Sequence, residues 1–364
     1  MDGNEGEARS NAKRVTTRRL TLAGTALLAV ALVAAVLTVD VDPVVESVLR
    51  ADPRVLGVAT VVYAASWPLR GRRYDDVLGT MGQQGGTGFL TMATFASQTA
   101  NLVVPARAGD AVRAYLVKRH RAVPYPSGFA SLAVERAFDL LALVVLSVGA
   151  LVVVVATGGP NALGLAAVDG GGSAVGAALS VGLAALVLTV VVVAATRSDS
   201  SMGSTLRAQV AGRPRIRRVV EWALRFADDV GVVARDRRGL AAIGVGSLLV
   251  WALDALTAVL VLAAFGTDLD VGTLLVAGTL AVSVGNLAKV VPLSQGGIGL
   301  YEAAFTGLIV GITPVGAGTA LGAAIVDHAL KNAVTLAGGG LSLAAFDVSL
   351  SEARERSAGP EPEP

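Results

Sequence analysis

The chain has 364 residues, 53% of them hydrophobic and 16% charged, with 30 basic side chains against 28 acidic ones. A mean hydropathy of +0.65 is too high for a soluble fold, and the length exceeds what a single anchor needs, which predicts a polytopic integral membrane protein. There is no Cys, and His occurs only at His120 and His328. Disulfides and thiol catalysis are thereby excluded, no metal or other cofactor is expected, and nothing points to a nucleic-acid partner.

Residues 1–19 are polar and end in Lys13, Arg14, Arg18 and Arg19, ahead of an apolar run over 20–39. That run is longer than a signal-peptide core and ends in Thr-Val-Asp-Val-Asp-Pro, so it predicts an uncleaved first span with a cytoplasmic N-terminus. The acidic loop 40–54 is then external. A shorter run over 55–69 returns and is expected to stop at Arg70, Arg72 and Arg73. Residues 86–104 are apolar but dotted with Thr, Ser, Gln and Asn. A full crossing there puts Arg107, Arg113, Lys118, Arg119 and Arg121 outside, whereas a re-entrant hairpin turning near 105–109 keeps them inside, in line with the positive-inside bias.

A span follows over about 129–156, then an external Gly-rich linker over 158–173 and a return span over 174–195. Residues 196–238 hold ten Arg against five acidic side chains, which marks this loop as cytoplasmic. Within it, 215–235 is predicted to form an amphipathic surface helix carrying Val219, Val220, Trp222, Leu224 and Phe226. A span over 239–265 passes Asp254 and reaches an external turn at Asp268 and Asp270. A second broken segment fills 272–312, and a last long helix over 315–346 carries Asp327, His328 and Lys331.

The predicted fold is all-α, with about eight membrane segments: six full spans plus two re-entrant or broken hairpins in inverted repeats. The transmembrane domain covers 20–346, with repeat halves at about 55–157 and 240–346. The acidic, Pro-rich tail 347–364 is expected to be disordered and cytoplasmic, in a protein of the cell membrane.

Two interruptions carry the chemistry. In the first, Asn101, Pro105, Arg107, Gly109, Asp110 and Arg113 break an apolar run and bring charge to the bilayer boundary, where irregular backbone has to be buried in protein or line a cavity. Arg107 beside a helix starting near residue 108, with Arg113 in its second turn, suits a phosphate, and Asp110 can hold one guanidinium in place. Basic residues that snorkel to headgroups as topology anchors give the same pattern. In the second interruption, Asn286 and Lys289 precede Pro292, and Gly296, Gly297 and Gly299 lead to Glu302; such glycines allow close backbone approach to a ligand. Glu135, Arg136 and Asp139 fall on one helical turn, where Arg136 and Asp139 can pair at i, i+3. Asp327 and Lys331 are spaced i, i+4. Both sets suit substrate binding and equally suit self-neutralisation.

These residues resemble the lysylphosphatidylglycerol synthase transmembrane-region family, also called flippase-like, over roughly 55–346. Its first motif, N-x3-P-x-R-x-G-E-x2-R, is matched by Asn101, Pro105, Arg107, Gly109 and Arg113, with Asp110 where Glu is usual. Its middle E-R-x2-D is matched by Glu135, Arg136 and Asp139. A second glycine-rich motif is matched by Pro292, Gly296, Gly297, Gly299 and Glu302, while Ser294 and Gln295 depart from it. The resemblance implies a lipid-translocating module, known elsewhere beside an aminoacyl-transferase domain or a glycosyltransferase, and neither domain is expected in this chain. It implies membrane lipids with a phosphate headgroup as ligands, and a glycosyltransferase or lipid synthase as partner.

The function expected is therefore translocation of an anionic lipid, a phospholipid or a polyprenyl-phosphate-linked sugar, between leaflets. The alternatives are a membrane-embedded lipid-modifying enzyme, for which the scattered carboxylates supply no paired acid and base, and a non-transporting subunit of a glycan or lipid synthase. No catalytic residue is assigned.

Overall fold

The computed structural model of the chain describes residues 41–103, 109–157, 214–289 and 295–346. The expected first span at 20–39, the linker and span over 158–195, Pro105, Arg107, Pro292 and the C-terminal tail lie outside the described residues. Among the described residues the structure is wholly helical. Its helices are α1 (Val41–Arg50), α2 (Pro53–Thr80), α3 (Thr87–Val103), α4 (Gly109–Arg121), α5 (Tyr125–Ala156), α6 (Pro214–Arg235), α7 (Arg237–Ala264), α8 (Val271–Ala288), α9 (Leu300–Ile312) and α10 (Ala317–Ala345), with a short 3-10 turn at Gln295–Gly297 before α9.

Helix starts follow local chemistry. Asp52 accepts a hydrogen bond from the Arg54 amide at 2.8 Å, with Pro53 in the first turn of α2. Asp236 does the same for the Arg238 amide at 3.0 Å, and Asp270 accepts from the amides of Gly272 and Thr273 at 2.8 and 3.1 Å. In each case a carboxylate satisfies amides that the first helical turn leaves orphaned.

Among the described residues three helices are long and apolar enough to cross a membrane: α5 over Tyr125–Val154, α7 and α8. Helices α2 and α10 have 28 and 29 residues but carry ionisable side chains in mid-helix. Helix α2 does not end at residue 69, because Arg73 is buried against acidic partners and the helix runs on to Thr80.

The antiparallel pair α2 and α7 forms the spine. The Asp52 amide donates to the Ala264 carbonyl at one end, Thr80 lies against Gly239 at the other, and Arg73 meets Ser247 two turns in from that second end. Around this spine the order long helix, paired shorter helices, long helix occurs twice, as α2, α3 with α4, α5 and as α7, α8 with α9, α10. The matching lengths are 28 and 28, 17 and 18, 13 and 13, and 32 and 29 residues.

Each shorter pair is a helical hairpin. In the first, the Gly109 amide donates to Asn101 Oδ1 at 2.8 Å near the tip, while Arg121 Nε donates to the Gly85 carbonyl at 2.6 Å and closes the base. In the second, Gly285 of α8 packs on the Tyr301 ring of α9. The base of the first hairpin lies where α2 ends and α7 begins. The base of the second lies at the opposite end, where Gly318 and Gly322 of α10 meet Pro43 and Ser47 of α1. The two hairpins meet near their tips, Leu102 at the end of α3 lying against Gly296. Gly296, Gly297 and Gly299 have φ of 64°, 80° and 86°, a left-handed run that a side chain would strain.

Small residues let the hairpins seat. Gly338 and Gly339 of α10 lie directly against Phe95 and Thr99 of α3, and Thr99 Oγ1 donates to the Thr335 carbonyl at 2.9 Å. Lipid gives helices little hydrophobic reason to associate, so close packing of this kind and interhelical hydrogen bonds hold them. Helix α6 lies against α5: Trp222 stacks on Phe226 at 5.7 Å and faces Phe129 at 6.2 Å, while Val219 and Ile216 remain exposed.

Candidate functional site

A neutral cluster of six charges backs the first hairpin, with Arg73, Arg113 and Arg136 set against Asp110, Glu135 and Asp139. Arg73, 1% exposed, donates from Nη2 to Glu135 at 2.7 Å and from Nη1 to Asp139 at 2.5 Å and Ser247 at 3.1 Å. Arg113, 0% exposed, donates from Nη1 to the other Glu135 oxygen at 2.9 Å and stands 4.7 Å from the Tyr74 ring centre. Arg136 reaches Asp110 at 3.4 Å and Asp139 at 3.6 Å. Asn101 ties the tip together, since its Oδ1 accepts from the Gly109 amide and its Nδ2 donates to Asp110 at 3.2 Å. Burial of single charges at these positions costs several kcal/mol each unless they are paired, so every carboxylate here has a guanidinium. Donors remain: Arg113 Nε and Nη2, Arg73 Nε and Arg136 Nε are buried with no hydrogen-bond partner among the described residues.

The second cluster backs the second hairpin. Arg70, Lys289 and Lys331 face Asp254, Glu302 and Asp327, with His328 beside them. Lys331 Nζ bridges Asp254 at 3.1 Å and Asp327 at 2.9 Å, and the Tyr301 hydroxyl donates to Asp327 at 2.5 Å. Asn286 Nδ2 donates to the Val282 carbonyl at 2.8 Å and approaches Asp254 at 3.4 Å. Lys289 Nζ lies 4.5 Å from the Tyr301 ring centre. At the tip, Glu302 Oε2 accepts from the Gly299 amide at 2.6 Å, while Oε1 sits 2.6 Å from His328 Nδ1.

The two clusters touch through the spine. Trp251 Nε1 donates to Asp139 at 2.8 Å, and the Arg70 guanidinium lies 6.0 Å from the Trp251 ring centre while reaching Asp254 at 3.9 Å. The structure thus brings Asn101, Gly109, Asp110, Arg113, Glu135, Arg136 and Asp139 into one group, and Asn286, Lys289, Glu302, Asp327 and Lys331 into another. Gly296, Gly297 and Gly299 lie where the tips meet. The residues that sequence reasoning missed are Arg70 and Arg73, treated as a stop signal, and Trp251 and Tyr301. Their signal was the three-residue spacing of Arg70 and Arg73, which gives two cations on one helical face.

Paired hairpins and buried charge define an all-α integral membrane protein. The chain belongs to the family described as lysylphosphatidylglycerol synthase TM region, whose family model matches residues 21–339. It is also 43% identical, over 357 residues, to the glycosyltransferase AglD of Haloferax volcanii. That match covers 95% of this chain and 57% of the relative, so the chain spans little more than half the length of the curated protein it matches.

Proposed function

We propose that this chain moves an anionic lipid, a phospholipid or a polyprenyl-phosphate-linked sugar, between the leaflets of the cell membrane. The observation that carries this reading is the meeting of two hairpin tips, at Leu102 and Gly296, in a helix bundle that buries two charge clusters. Helices α4 and α9 begin beside these tips, at Gly109 and Leu300, so the positive ends of their dipoles are offered to a phosphate headgroup. Arg113 retains Nε and Nη2 as spare donors, and Arg107 belongs to the same tip by sequence.

The two hairpins open toward opposite ends of the molecule. With the antiparallel spine this fits inverted repeats at about 55–157 and 240–346, a design that exposes one central site alternately to either side. At ~1.5 Å per residue, α4 and α9 are each about 20 Å long, short of the ~30 Å hydrocarbon core, which favours re-entrant hairpins. The end bearing Arg121, Arg217, Arg218, Arg237 and Arg238 is cytoplasmic by the positive-inside bias, and the end bearing Asp52, Asp268 and Asp270 is external.

The similarity to a protein called a glycosyltransferase favours a polyprenyl-phosphate sugar as cargo, with a glycosyltransferase or lipid synthase as working partner. It also favours a second reading, in which this region serves such an enzyme without moving lipid. Reconstitution separates them. In liposomes holding the purified chain and either a fluorescent phosphatidylglycerol or a polyprenyl-phosphate sugar, exchange of one lipid between leaflets is expected, and failure to move both leaves the second reading.

A further inference from the structure

We propose that Glu302 and His328 form a proton-binding site and that lipid movement is coupled to it. The inference rests on the lipid-movement reading above. Glu302 holds the second hairpin tip at two points, by accepting from the Gly299 amide and by its contact with His328 of α10. His328 is 3% exposed, and the Tyr301 ring lies 4.8 Å from its own. A carboxylate with a neutral imidazole carries one negative charge, and one added proton makes the pair neutral.

That proton does two things. It turns the hydrogen bond into an ion pair that fastens the tip more firmly to α10, and it removes a negative charge beside the place where an anionic headgroup has to sit. Proton and lipid therefore bind together, and release of the proton loosens the tip and disfavours the headgroup.

The surroundings suit a switch at this pair rather than elsewhere in the cluster. From α10, Asp327 and Lys331 are bound to each other, and from α7 Asp254 is bound to Lys331. From α2, Arg70 reaches Asp254, and Tyr63 has the Lys331 Nζ 6.0 Å from its ring centre. From the α8 end comes Lys289, and from α9 Tyr301, whose hydroxyl is committed to Asp327. Helix α3 contributes no ionisable side chain, and Asp42, Glu46 and Arg50 of α1 are exposed. Lys331 is thus committed to Asp254 and Asp327, which leaves the contact between Glu302 and His328 outside that ion-pair set.

Two measurements test this. The chain has two histidines, so in nanodiscs the ring signals of 15N-histidine-labelled protein reduce to His328 in His120→Gln. Titration of that signal between about pH 5 and 9 is expected, displaced in Glu302→Gln. A signal that does not change over that range overturns the proton site, whatever the lipid assay shows. In proteoliposomes with fluorescent phosphatidylglycerol, a gradient of about one pH unit is expected to shift the steady-state leaflet ratio up to about tenfold toward the alkaline side, one proton accompanying each lipid. In Glu302→Gln and His328→Gln the ratio is expected to ignore the gradient. Exchange in the wild type with a ratio indifferent to the gradient overturns the coupling and leaves the transport reading standing. Absence of any exchange overturns the transport reading and the coupling with it, while the histidine titration still decides the proton site.

Discussion

Arg70 and Arg73 lie one turn apart on α2 yet belong to different charge clusters, Arg73 binding Glu135 and Asp139 and Arg70 reaching Asp254. A shift of α2 along α7 therefore disturbs both clusters at once. The same helix touches the supports of both hairpins, which gives the halves a physical connection.

Arg73 is the least replaceable of these cations. Its removal leaves Asp139 with the Trp251 indole and only the longer contact to Arg136 as a cationic partner, whereas removal of Arg113 leaves Glu135 still bound to Arg73. Breaking a buried pair costs roughly 3 to 5 kcal/mol. Thermal unfolding in detergent is expected to show Arg73→Ala well below wild type and Arg113→Ala between them; equal melting of the two variants contradicts this ranking.

Hairpin seating depends on Gly339. A methyl there runs into Thr99 of α3, while Gly340 has open space around it. Overpacking costs typically 1 to 3 kcal/mol, and Gly→Ala in an unobstructed helix gains up to about 1 kcal/mol. Gly339→Ala is expected to lower the melting temperature and Gly340→Ala to leave it unchanged or raise it.

The spine is accessible to chemistry because the native chain has no Cys. Thr80→Cys with Gly239→Cys is expected to form a disulfide on mild oxidation, as antiparallel α2 and α7 require, whereas Arg54→Cys with Gly239→Cys is not. Single labelling extends this to sidedness: Arg218→Cys is expected to react from the cytoplasm and Asp268→Cys from outside. Reversed labelling contradicts the assigned orientation.

Much of this architecture was legible because bilayer proteins advertise their segments. The amphipathic stretch 215–235 is α6, Gly109 opens α4, Gly296, Gly297 and Gly299 precede α9, and the i, i+4 pair Asp327 and Lys331 forms as spaced, at 2.9 Å. Arg73 was illegible for a physical reason: basic residues at the end of an apolar run usually mark the interface, and only the carboxylates of α5, 62 and 66 residues away, make burial affordable. The Tyr301 and Trp251 contacts are likewise long-range, and no local pattern encodes them. The pairing of Glu302 with His328 depends on α9 lying against α10, which spacing alone does not reveal.

The central claim is that the hairpin tips hold a lipid phosphate, and leaflet exchange of a fluorescent anionic lipid in proteoliposomes tests it most directly. A charge-assisted contact contributes about 1.5 to 3 kcal/mol, so Arg107→Ala and Arg113→Ala are each expected to weaken lipid binding roughly 10-fold to 150-fold and to slow exchange strongly. Lys at either position restores part of the rate, since an ammonium lacks the planar fork. Arg217→Ala, on the exposed face of α6, is expected to exchange lipid at the wild-type rate. Wild-type exchange in both Arg107→Ala and Arg113→Ala, with normal insertion, would contradict the account.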